Sequence, residues 1–236
     1  MSRRARAKRE RISDSVGGLP SWDAISAALA ADGPAASAPP RSDEELAAVT
    51  VGELTPHDQE ILLVDYDPEW PTLFEREAER IRGILGARAL RVEHVGSTSV
   101  PGLAAKPIID ILLVVPDSSN EPAYASDLER EGYVLRIREP DWYEHRLFKG
   151  PDTNVNVHVF SESAAEIDRM LLFRDWLREH PEERERYEGR KRELASRTWR
   201  FVQHYADAKS GVVQSILARA EAARGDVETA EPGRNG

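Results

Sequence analysis

The hydrophobic positions change period along the chain. Leu73, Phe74, Ala78, Ile81 and Leu85 recur every three or four residues, one face of a helix, and Gly86 is placed to stop it. Ile61 to Val64 and Leu90 to Val95 are short strand-like runs. Ile108 to Val115 is apolar except at Asp110, which suits a central strand buried on both faces. A helix is expected over residues 123–131, and Gly132 then turns the chain into a strand from Tyr133 to Ile137. Residues 142–148 predict a further strand, and Asn154 to Phe160 alternates with a period of two. Beyond Ala164 the pattern is helical. One helix carries Ile167, Met170, Leu171, Arg174 and Leu177, His180-Pro181 interrupts it, a charged helix follows over residues 182–197, and a last one runs from Phe201 to Ala223. The expected architecture is α+β: a mixed β-sheet with helices, followed by a C-terminal helical segment.

The ends differ from this body. Residues 1–57 are rich in Ala, Ser, Pro, Arg and Asp, a composition that buries too little apolar surface to offset its ordering entropy. They are expected to form a disordered extension, apart from a short helix over Ser21–Leu29 that places Trp22, Ile25 and Leu29 on one face. Residues 58–224 form the expected domain and residues 225–236 a polar tail. Composition narrows the function classes. No cysteine is present, so thiolate metal sites, disulfides and cysteine nucleophiles are excluded. No apolar run approaches the ~18 residues of a membrane span. The start of the chain has no apolar signal core, so a cytoplasmic protein is expected. The net charge is −10, although residues 1–12 hold six basic side chains against one acid. The body is therefore more acidic than the whole chain and makes a poor nucleic-acid surface. A local basic pocket for a small anion or nucleotide remains compatible with it. Residues 1–57 offer a docking segment for a protein partner.

The stretch from His94 to Val115 concentrates the chemistry. A strand ends at Val95 and Gly96-Ser97-Thr98 follows at once. Glycine lets a ligand approach the backbone, and hydroxyls with free amides can hold phosphate oxygens. Lys106 adds a cation, and Asp110 is a carboxylate inside an apolar strand, expensive unless paired or on a metal. The same residues also suit a tight turn followed by an ion-paired aspartate, and spacing alone leaves both readings open. Asn154, Asn156 and His158 share one face of a later strand. A histidine there is suited to ligating a metal or accepting a proton near neutral pH. His94 lies at the mouth of the turn, and His145 and Arg146 fall on opposite faces of one strand. Arg146 is suited to clamping a phosphate. Lys209 follows Tyr205 by four positions within an apolar helical stripe. The run Arg186, Arg190, Lys191, Arg192 alternates with glutamates and reads as a solvated face.

Four segments, "VDYDPEWPTLFEREAERI", "EHVGSTSVPGLAAKPIIDILLVV", "NVNVHVF" and "LLFRDWLREHPEERERYEGRKRELA", together resemble the GrpB-like family of predicted nucleotidyltransferases. The resemblance covers residues 61–223. It implies a nucleotidyltransferase-like fold, with a nucleoside triphosphate as substrate and Mg²⁺ as cofactor. On that reading Asp110 and His158 are the catalytic and metal-binding pair. Gly96, Ser97, Thr98, Lys106, Arg146 and Lys209 bind phosphate, and His94, His145, Asn156 and Tyr205 line the cleft. One departure stands out. The wider superfamily carries two acids, D-x-D, after the glycine–serine turn, and a third on a later strand. Here Asp110 is flanked two residues away by Ile108 and Leu112, and the later strand has no acid. Asp110 with His158 suits one metal ion or none. A non-catalytic nucleotide- or anion-binding accessory or regulatory module is the alternative to a transferase, and a partner-docking scaffold is a third reading.

Overall fold

The computed structural model describes residues 39–58 and 60–230. The helix expected over Ser21–Leu29 and the last six residues lie outside them. Five strands form one sheet in the order β1-β2-β5-β4-β3. They are β1 (Arg91–Val95), β2 (Ile109–Val115), β3 (Val134–Glu139), β4 (His145–Lys149) and β5 (Val155–Ser161). β2 and β5 pair in parallel and every other pair is antiparallel, so the sheet is mixed. The apolar run of β2 sits between two strands, as its composition requires.

Helices α1 (Asp43–Val49), α2 (Trp70–Leu85) and α3 (Ala125–Arg130) precede β3. The stripe of α2, extended by Trp70, packs on Ile109, Ile111, Leu113, Val155, Val157 and Val159, which fill one face of the sheet. The other face carries Val95, Leu112, Val114 and Phe160. It is covered in part by Ile167 and Leu171 of α4 (Glu166–Glu179). The chain then forms α5 (Pro181–Ala195), α6 (Val202–Ala208) and α7 (Ser210–Ala230). Helices α4, α5 and α7 clamp the loop after β1: Val100 and Leu103 pack with Leu177, Tyr187 and Ile216.

Three expectations are corrected. Residues 61–64 make no strand; Val64 forms one isolated bridge to Ala105, so its backbone bonds go to the loop after β1 rather than to a sheet edge. The last helix is broken at Lys209, whose N–H returns to Ala206, and the break folds α7 back onto α4. The expected extension to residue 57 also contains ordered structure. Helix α1 has a Ser42–Glu45 capping box, buries Leu46 and bridges Thr50 to Ile137 on edge strand β3. No helix among the described residues is long and apolar enough to cross a membrane.

Candidate functional site

The site grows from the turn between β1 and the following loop. Gly96 has φ +70°, a conformation that L side chains rarely adopt. A Cβ there would lie within 2.9 Å of Asp110 Cβ and closer still to its carboxylate. The turn therefore needs glycine for two reasons, dihedral and contact. Asp110 pairs across to Val95 and Asn156, which places its side chain on the face opposite the α2 core. Lys149 aligns with Asn156, and Leu112 and Leu147 with His158, so all share that face.

Asp110 is held closely. Asn156 Nδ2 donates to its Oδ1 at 2.7 Å, and Lys149 Nζ donates to Asn156 Oδ1 at 2.5 Å. His158 Nε2 stands 3.7 Å from the same oxygen. Burial works to raise the Asp110 carboxyl, but His158, Asn156 and Lys106 more than offset it and hold it below the usual aspartate range. A chain of groups continues behind His158. Its Nδ1 meets His145 Nε2 at 3.1 Å, His145 Nδ1 meets Glu139 Oε2 at 2.7 Å, and Arg41 pairs with Glu139 at 2.9 Å. Burial pushes the His145 imidazole down to about 4, so it is neutral near pH 7. Its Nδ1–H donates to Glu139 and its bare Nε2 accepts from His158. His158 Nε2 is then the nitrogen that faces Asp110.

Lysines gather from other elements. Lys106 Nζ lies 5.6 Å and Lys209 Nζ 4.7 Å from the centroid of the Tyr205 ring. Burial, then the charge of Lys209, pushes the Lys106 amine down to about 8 against the pull of Asp110. Lys191 is 2% exposed, donates from Nζ to the Ala104 carbonyl and stacks over Tyr187 at 4.8 Å. Burial, then Lys209, pushes it down to about 7. Tyr187 in turn hydrogen-bonds the Ser97 side chain, which joins the helical arm to the turn.

Of the expected residues, Gly96, Ser97, Lys106, Asp110, His145, Asn156, His158, Tyr205 and Lys209 come together around this face. Three do not act there. Arg146 lies on the opposite face, where its Nε donates to Glu121 at 2.6 Å, because β4 alternates it with His145. His94 also points into the α2 side. It stacks on Phe74 at 4.8 Å, and burial pushes it down to about 4. The Thr98 hydroxyl is 1% exposed and is spent on His94 and the Ile108 carbonyl. The reading of Lys191 as a solvated residue is corrected: it is buried. Sequence reasoning also missed Lys149, Tyr187 and Glu139 as parts of this face. A lysine four positions after His145, and so on the same strand face, is the available signal for Lys149.

The implied Mg²⁺ can be tested against these donors. Among the described residues no three acids or histidines are placed to hold one metal ion. Mg²⁺ prefers six oxygens in near-octahedral array. Asp110 has Asn156 on one carboxylate oxygen and Gly96 against the other. Lys106 and Lys209 face it electrostatically. The residues present do not fit a Mg²⁺ centre.

A family model described as GrpB protein matches residues 60–219. The chain belongs to the GrpB family. A UPF0157 protein of Halalkalibacterium halodurans is 67% identical over 78% of this chain and 94% of its own length. A UPF0157 protein of Streptomyces coelicolor is 47% identical over 72% and 89%. The crystal structure of the conserved protein GrpB from Enterococcus faecalis superposes with a TM-score of 0.62. It is 33% identical and covers 69% of this chain and 99% of that one. A protein of Mycolicibacterium paratuberculosis named dephospho-CoA kinase is 32% identical over 68% of this chain, and the match spans 46% of that protein.

Proposed function

We propose that this GrpB-family chain is a nucleotide-binding protein of nucleotidyltransferase type, which holds the phosphates of a nucleotide against the Gly96-Ser97 turn. The observation that carries this reading is the convergence of a positive-φ glycine turn, a single strand carboxylate and lysines from separate elements on one sheet face. The turn supplies backbone approach and a hydroxyl, and the lysines supply charge. The dephospho-CoA kinase whose length this chain matches in part favours an accessory role beside a nucleotide-using enzyme.

A transfer reaction is the second reading, favoured by the Glu139–His145–His158 chain that ends at Asp110. In it an acceptor hydroxyl forms a new bond to phosphorus, its proton passes to His158 Nε2, and the bond to the departing pyrophosphate breaks.

The test is thermal stabilisation of the full chain against a panel of nucleoside mono-, di- and triphosphates. Ligand at a hundredfold excess over Kd stabilises by about 2.7 kcal/mol. A shift with at least one nucleotide, markedly reduced in Lys209→Met and in Ser97→Ala, is expected. A shift that survives both substitutions places the ligand elsewhere and removes this reading. Release of pyrophosphate from the triphosphate with a small alcohol present would select the transferase.

A further inference from the structure

This sheet face brings lysines where a nucleotidyltransferase site would bring acids. Asp110 is faced by amines from three parts of the chain: Lys106 in the loop after the turn, Lys149 on β4, and Lys209 at the break between α6 and α7. The charge of Lys209 also acts on Lys191 of α5. Apart from Asp110, two nearby carboxylates have other partners. Asp207, two residues before Lys209, is held by Arg41 at 3.1 Å. Glu188 accepts from the Ala104 amide at 3.1 Å and from Arg192 at 2.8 Å. Lys106 and Lys209 make no side-chain hydrogen bond or salt bridge among the described residues, and both lie over the Tyr205 ring.

Resting on the nucleotide reading above, we infer that Lys106, Lys149 and Lys209 stand where metal ions would, so this face holds a polyphosphate chain without a divalent cation. Partly buried like charges repel, and an anion between them relieves that repulsion, whereas a divalent cation adds to it. The ligand class that fits is a triphosphate or other linear polyphosphate, which spreads several negative charges over a short chain. Charge is then neutralised by fixed ammonium donors rather than by a coordinated ion.

The experiment is calorimetric titration of the full-length protein with a nucleoside triphosphate and, separately, with inorganic tripolyphosphate. Each is run in EDTA and in excess Mg²⁺. The expected result is binding in EDTA that weakens when Mg²⁺ masks the phosphate charge. Lys106→Met and Lys209→Met should each weaken binding by about tenfold, an order expected for one lost charge-assisted contact. Both variants lose a partly buried charge, so their melting temperatures should equal or exceed the parent's. Binding that appears only with Mg²⁺ overturns the inference while leaving the nucleotide reading intact. Tripolyphosphate binding in EDTA with no nucleotide binding overturns the nucleotide reading and keeps the metal-free polyphosphate site. Absence of binding by either ligand in EDTA overturns the inference.

Discussion

Gly96 shows how one residue can join backbone geometry to site chemistry. Its φ of +70° excludes most side chains on its own, and its contact with Asp110 excludes any Cβ. Gly96→Ala is expected to destabilise the protein by ~2 kcal/mol or more, through strain and displacement of the carboxylate. Nucleotide stabilisation should vanish with it. Urea unfolding together with the nucleotide shift assay checks both, and an unchanged midpoint would show that the turn relaxes freely. Alternation along β4 correctly separates His145 from Arg146, and that much was readable in the sequence. Which side of the strand faces the cleft was not, because it depends on where α2 packs. Arg146 therefore sits in an ion pair with Glu121 rather than on a phosphate.

At the scale of elements, the site depends on segments that are weak by themselves. Helix α1 has seven residues and would be marginal in isolation. The Ser42–Glu45 box, the buried Leu46 and the pairing of Arg41 with Glu139 and Asp207 hold it to the body. This contact also fixes Glu139, the far end of the histidine chain. Ser42→Ala is expected to cost about 1 kcal/mol, as removal of an N-cap usually does. Hydrogen exchange should show faster opening of residues 43–49, with exchange in β2 unchanged. Composition suggested disorder through residue 57 because the partners of α1 lie on β3 and α6, far along the chain. The break at Lys209 is another element-scale decision. A continuous helix fits the local pattern equally well, and packing of α7 against α4 selects the break.

For the whole molecule, buried titratable groups set how stability follows pH. His94 and His145 are both held neutral by burial, with folded values of about 4. The unfolded chain takes up those protons near pH ~6.5, so it binds more protons than the native state between about 6.5 and 4. Their contribution is full above pH ~6.5 and is lost as pH falls through about 4. Each histidine should account for on the order of 2 kcal/mol over that window. Denaturant unfolding of the parent at pH 7 and 4.5, repeated with His94→Gln, measures it. The variant should lose part of the pH dependence, and an identical slope would place the effect elsewhere.

The sequence by itself determined the local grammar of this protein. The stripe of α2, the buried run of β2, the glycine–serine turn before Asp110 and the shared face of Asn156 and His158 are all set by spacings of a few residues. Local sterics and periodic burial act within a turn or a strand, so they leave a mark that neighbouring residues carry. The tertiary structure decided what surrounds Asp110. Lys149, Lys191 and Lys209 reach the neighbourhood of the turn only because β4 pairs with β5 and the helical arm folds back over the loop after β1. Charge clusters depend on distances in space rather than along the chain. In sequence Lys191 is therefore one more charge on a polar helix, whereas in the fold it is a buried amine bound to the Ala104 carbonyl.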